Sequence, residues 1–150
     1  MLYAPFDGKG VESHLDIYNF WGMLGGVLDG IDGEFTIVGG DFNTDYCREG
    51  VFRDAMEEAI RENNMVIGDD RHKEKVTFTS KINGSKSWID HFLVSKSISQ
   101  RTVKVEVFEE VVGSDHQPLC ITIHNDCQTG NRQRGAAEFV EISNRLIWKS

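Results

Sequence analysis

The chain has 150 residues, 39% of them hydrophobic, and a formal charge of -8; it is long enough for one globular domain with a core and too short for two. That charge excludes nucleic-acid binding through a bulk basic surface, but it leaves room for an acidic enzyme that works on phosphate through metal ions. Cys47, Cys120 and Cys127 form no CxxC pair, which argues for reduced thiols and against a zinc site. No apolar run approaches the roughly twenty residues of a membrane helix, and the opening MLYAP lacks the basic start of a secretory leader. The expectation is a soluble, intracellular protein.

In chain order, Leu2 to Pro5 reads as a strand broken by Asp7, Gly8 and Gly10. A helix follows, capped by Ser13, with Ile17, Trp21, Leu24, Leu28 and Ile31 recurring on one stripe. Residues 34–38, EFTIV, suit a strand covered on both faces and ending at Gly39-Gly40. Phe52, Met56, Ala59 and Ile60 mark a second helix within 51–64, its charged residues free to face water. Met65 to Ile67 reads as a brief strand, and the run DDRHKEK after it as a solvated loop. VTFTS and SWIDHFLVS then flank Asn83-Gly84-Ser85 like a hairpin, so that triplet is a turn rather than a glycosylation acceptor. TVKVEVF and PLCITIH are two more strands. This order fits a mixed α/β architecture. Beyond about residue 124, a polar stretch leads to Phe139, Ile142 and Leu146 at the spacing of a short amphipathic helix, with 125–150 read as a linker or tail.

Small polar residues stand at the borders of three apolar strands: Asp41 and Asn43 after FTIV, Asp90 and His91 inside SWIDHFLVS, Asp115 and His116 before PLCITI. Singly, such residues are ordinary turn chemistry. Asp90 differs, because a carboxylate between Trp88-Ile89 and Phe92-Leu93-Val94 is costly without a partner. His116 is a candidate partner, since an imidazole held by a carboxylate gains a fixed tautomer and a raised pKa. Asp41 and Asp115 are hard oxygen donors suited to magnesium.

GDFN, SWIDHFLVS and GSDHQPL, in this order and separation, resemble the endonuclease/exonuclease/phosphatase superfamily of metal-dependent phosphodiesterases, which includes pancreatic-type deoxyribonuclease and abasic-site endonucleases. TFTS before SWIDHFLVS, and the tail NRLIWKS, look most like the endonuclease domain of LINE-type retrotransposons. The resemblance implies part of a four-layer α/β sandwich, two central sheets flanked by helices, acting on DNA with magnesium or manganese. It implies that Asp41 positions or deprotonates the attacking water and that Asn43 holds the phosphate. Asp90 would orient His116, His116 would hydrogen-bond the scissile phosphate, and Asp115 with Asp41 would serve the metal. LYAP resembles a family strand that makes Tyr3 a phosphate contact.

The resemblance covers residues 1–124 and only the second half of such a domain, the family's upstream asparagine and metal-binding glutamate having no counterpart. Neither Glu12 nor Glu34 stands in the glutamate's context. The expected partners are therefore DNA, the upstream half, and a reverse transcriptase following the tail; action on DNA would imply the nucleus. A half-domain is expected to leave a sheet face bare, to be unstable or to associate, and to hydrolyse weakly or not at all. Alternatives are a phosphatase or lipid-headgroup hydrolase of the same superfamily and a non-catalytic remnant or interaction module. Among other residues, His91 should face away from Asp90 in a structural or surface role, Trp21 belongs to the core, Trp88 abuts the site, and Cys47 lacks a histidine that would make it a nucleophile.

Overall fold

A computed structural model describes residues 2–6, 10–31, 35–70, 76–108, 113–125 and 138–144. Asp7, Gly8, Glu34, the run 71–75, Cys127 and Leu146 lie outside the described residues. The elements are β1 (Leu2–Tyr3), α1 (Val11–Asp29), β2 (Ile37–Asp41), α2 (Val51–Glu62), β3 (Met65–Ile67), β4 (Phe78–Thr79), β5 (Lys86–Ser87), β6 (Asp90–Ser95), α3 (Lys96–Ser99), β7 (Thr102–Val107), β8 (Leu119–Asn125) and β9 (Glu138–Asn144). They form a four-stranded sheet in the order β1-β2-β6-β3, a small β4-β5 hairpin, and a three-stranded sheet β7-β8-β9.

Strand β6 runs through the centre of the molecule, and its period of two divides the core. Leu93 points to one face, where Ile17, Phe20 and Trp21 of α1 and Phe52, Ala55, Met56 and Ala59 of α2 bury it. Phe92 and Val94 point to the other, against Val105, Leu119, Ile121 and Ile123 of the second sheet. The four-stranded sheet is thus covered on both faces, and the bare sheet face expected of a half-domain is not found among the described residues. In β8, Leu119, Ile121 and Ile123 supply that cover, and on the other face Cys120 is buried while Thr122 and His124 are partly so. Exposed apolar side chains include Val11, Leu15, Met23 and Val27 of α1, and Phe6 and Ile82 outside it.

Four further expectations need correction. Ser13 does not cap α1; the helix starts at Val11 with Gly10 before it, and the Ser13 hydroxyl donates back to the Gly10 carbonyl. β2 does not end at the glycine pair but runs through it to Asp41. A Cβ on Gly39 would stand 2.6 Å from the Phe92 ring, and one on Gly40 would overlap the Leu2 carbonyl. The glycines therefore serve close strand approach instead of chain termination. SWIDHFLVS is not one strand of a hairpin: Lys86–Ser87 pairs with Phe78–Thr79 around the Gly84 turn, and Asp90–Ser95 leaves to pair with β2 and β3. Residues 138–144 form a strand, not a helix, pairing antiparallel with β8. Val140 and Ile142, β-branched in a short segment beside an open edge, favour that outcome.

Candidate active site

The register of β2 on β6 sets Asp41 directly opposite Asp90, and the parallel register of β1 sets Tyr3 beside Asp41. Facing carboxylates repel, so the pair needs a cation or donor between them. His116 supplies it. Its Nδ1–H donates to Asp90 Oδ2 at 3.0 Å, and its Nε2 lies 3.9 Å from Asp41 Oδ2.

The segment that holds His116 in place is 77–79, within the VTFTS strand. Thr77, fully buried, accepts the Ile89 and Asp90 backbone N–H groups on its hydroxyl oxygen, both at 3.1 Å. Its carbonyl accepts the Gln117 N–H, and the Thr79 N–H donates to the Asp115 carbonyl. Phe78 bridges His116 and lies 5.0 Å from its ring. One stretch, 77–79, therefore fixes Asp90 and the Asp115-His116 turn together. Two threonines flanking a phenylalanine signal only a strand; the hydroxyl's two donors come from a segment twelve residues on.

The turn after β2 is as closely held. Asn43 adopts φ 47, a left-handed conformation that asparagine tolerates better than most residues. Its backbone N–H donates to Asp41 Oδ1 at 2.8 Å, and one N–H of its side-chain amide donates to the Ala4 carbonyl at 2.7 Å. The Thr44 carbonyl accepts from His91 Nε2 at 2.9 Å. Asp41, Asn43, Asp115, His116 and Tyr3 all line one cleft of about 630 Å³, with Phe6, Arg48 and Phe78 among its other walls. Asp90 lies beneath His116, 1% exposed. Arg48 was not singled out in the sequence; it reaches the rim because Asp45 and the Lys86 carbonyl hold its guanidinium.

Burial pushes the Asp41 carboxyl above the usual carboxylate range; the Asn43 N–H opposes that, Asp90's charge adds to it, and His116 and His91 offset part of it. Burial pulls the His116 imidazolium down, but the hydrogen bond and charge of Asp90, with Asp41 and Asp115, outweigh it and leave the pKa raised. The cleft thus holds more negative charge than one imidazolium balances. Asp41 and Asp115 are hard oxygen donors of the kind magnesium takes, one or two per ion with waters completing its shell. Among the described residues no group of three His, Cys, Asp or Glu side chains is placed to hold a metal ion.

Four other residues resolve clearly. His91, which follows Asp90, points into the helix-side core and is 1% exposed; its Nδ1 meets Asp69 Oδ2 at 3.0 Å. Asp69 is fully buried and also accepts the Phe92 N–H, which corrects its reading as part of a solvated loop. Trp88 is buried, donating to the Asp90 carbonyl and stacked on His91. Trp21 is core, stacked on Phe42 at 5.5 Å.

The fold has known counterparts. An abasic-site endonuclease, LMAP from Leishmania major, superposes with a TM-score of 0.65 at 22% identity, covering 78% of this chain and 46% of that one. The endonuclease domain of TRAS1, a telomere-specific non-LTR retrotransposon, superposes at 0.59 with 19% identity, covering 67% and 48%. The Neisseria 3' phosphatase NExo, solved with a product DNA hairpin, superposes at 0.54 with 16% identity, covering 72% and 50%. The chain spans about half the length of each of these proteins. A comparison with curated protein sequences gives no match. Among the described residues, no helix is long and apolar enough to cross a membrane. The fold is that of the endonuclease/exonuclease/phosphatase superfamily, and the match of residues 3–120 makes the chain a member of the endonuclease–reverse transcriptase family.

Proposed function

We propose that the chain is the second half of a metal-dependent phosphodiesterase domain of the retrotransposon endonuclease type, acting on DNA in the nucleus, with reduced or no activity unless an upstream half is supplied. The observation that carries this reading is the Asp90–His116–Asp41 chain, which aims a ring nitrogen at a carboxylate in an open cleft.

Hydrolysis of a phosphodiester needs a positioned water, neutralised phosphoryl oxygens and relief of charge in the transition state. Asp41, at the end of a strand pinned on both sides, positions the water and takes its proton. Asn43 gives one amide N–H to Ala4, leaving the other for a phosphate oxygen. Because Asp90 accepts the Nδ1–H of His116, Nε2 donates to the phosphate when the ring is an imidazolium, the form that the hydrogen bond and charge of Asp90 favour against burial. Tyr3, more than half exposed beside Asp41, adds a phenolic donor. Magnesium or manganese, held by Asp115 and Asp41, would neutralise phosphoryl charge when bound. In this reading the segment 125–150 leads toward a reverse-transcriptase-like region, in keeping with the family's name.

Nicking of supercoiled plasmid with and without magnesium tests the reading. The expected result is slow, magnesium-dependent nicking that falls about a hundredfold in Asp41→Ala and His116→Ala. Nicking that persists in both variants would overturn the assignment of the site. Absence of both nicking and a magnesium-dependent rise in melting temperature would instead support a non-catalytic remnant. Hydrolysis of a phosphomonoester in preference to plasmid would point to the phosphatase reading, since the fold does not name the substrate.

A further inference from the structure

β6 carries a second histidine that the proposed chemistry does not use. His91 Nε2 faces the Thr44 carbonyl, which can only accept, so that nitrogen carries a hydrogen. Nδ1 faces one oxygen of Asp69, whose other oxygen accepts the Phe92 N–H. Both ring nitrogens are therefore hydrogen-bonded, and the ring is packed between Phe42 and Trp88 at 6.1 and 6.0 Å. A buried pair needs such complete satisfaction to persist.

The acceptor is what makes the pair more than core. Thr44 closes the turn that carries Asp41 and Asn43, and that turn includes a left-handed asparagine, a conformation that persists only where its surroundings over-determine it. From the cleft side the turn is tied to Ala4. From the core side it is tied to His91, the neighbour of Asp90 along the chain. We propose that His91, held in place by Asp69, is a positioning residue: through the Thr44 carbonyl its Nε2–H fixes the Asp41–Asn43 turn relative to Asp90 and so to His116. Its effect on turnover rests on the hydrolase reading above; its effect on the geometry of the turn does not.

The test compares His91→Phe with Asp69→Asn in the purified chain. Both lose a buried ion pair and both are expected to lose stability, but Asp69→Asn keeps a neutral His91 whose Nε2–H still donates to Thr44. In His91→Phe the Asn43 and Thr44 amide signals should shift, and their hydrogen exchange should speed about tenfold, the scale of one lost hydrogen bond. In Asp69→Asn they should stay near wild type. For nicking, His91→Phe should lower kcat about 10- to 100-fold with less change in KM, as expected when reacting groups are misplaced by a fraction of an ångström, and Asp69→Asn should retain most of kcat. Unmoved amides in His91→Phe, or equal disturbance in both variants, would reduce the pair to a structural role and overturn the proposal. If no protein nicks DNA, the hydrolase reading fails while the amide signals still decide this one. If His91→Phe does not fold, the wild type decides it: the His91 Nε2 proton and the turn amides should exchange at one common rate, and turn amides exchanging much faster would show that the turn moves without His91.

Discussion

β6 holds two aspartate–histidine pairs back to back, one at the cleft and one in the core. In both, a carboxylate oxygen lies 3.0 Å from an Nδ1. They differ at the far nitrogen: His91 Nε2 ends on a backbone carbonyl, whereas His116 Nε2 points across 3.9 Å toward Asp41 and the open cleft. A histidine with both nitrogens satisfied is a strut, and one with a nitrogen left toward solvent is available for chemistry. Solvent access to the second nitrogen, and not the presence of a carboxylate partner, separates the two.

The contrast breaks most sharply at Asp69. Asp69→Ala takes away the buried partner of both His91 Nδ1 and the Phe92 N–H, and urea unfolding is expected to lose about 3–5 kcal/mol. Asp90→Asn should instead lower nicking strongly at a smaller cost in stability, because His116 can reach water through the cleft. Equal stability losses at the two aspartates would mean that burial does not distinguish the pairs.

Thr77 joins the two sides of the site, and Thr77→Val removes its hydroxyl at nearly constant volume. Two buried N–H groups, of Ile89 and Asp90, then lose their acceptor, costing about 1–3 kcal/mol. Thr77→Ser should restore stability and nicking, since it restores the oxygen. A valine variant as stable as the wild type would show that those N–H groups find another partner.

The cleft residues could be read from the sequence because Asp41, Asn43, Asp90, Asp115 and His116 each interrupt or end an apolar run. The Asp90–His116 contact was legible too, from the cost of a carboxylate without a partner; the facing of Asp41 and Asp90 was not. Nothing in either segment states that Asp41 lies opposite Asp90, because register is set by pairing between strands far apart in the chain. Asp69 sits in a run of charges that looks solvated, and only the arrival of His91 makes its burial tolerable. β9 went unread because Phe139, Ile142 and Leu146 match a helical period; the open edge of β8, invisible in that segment, decided otherwise.

The core pair also predicts a pH signature. Burial lowers the His91 pKa, but Asp69's charge and hydrogen bond, with Thr44 and Asp90, leave it raised. A raised folded pKa gives stability that is complete below the unfolded imidazole value of about 6.5 and fades as pH climbs through the folded value. In Asp69→Asn the largest raising influences are gone and burial prevails, so the sign reverses and this contribution weakens as pH falls through 6.5. The difference in melting temperature between wild type and Asp69→Asn should therefore be greatest in mild acid and shrink on the alkaline side. A difference constant with pH would mean that His91 is neutral in both.

The smallest expected effect is a gain. Asp41's raised pKa means that folding favours its protonated form, first through burial and, among the other causes, through the charge of Asp90 opposite. Asp41→Asn removes the charge while its amide oxygen still accepts the Asn43 N–H. At pH 7 the variant is expected to be more stable by about 1 kcal/mol, the usual scale when a functional group strains its surroundings, and to lose nicking at the same time. Added magnesium should raise the melting temperature of the wild type and leave that of Asp41→Asn nearly unchanged, because the ion relieves in one protein a repulsion that the other no longer has. Asp41→Asn melting below the wild type without magnesium would show instead that the Asp41 charge is already balanced by His116, and the cleft would then need no metal to hold it together.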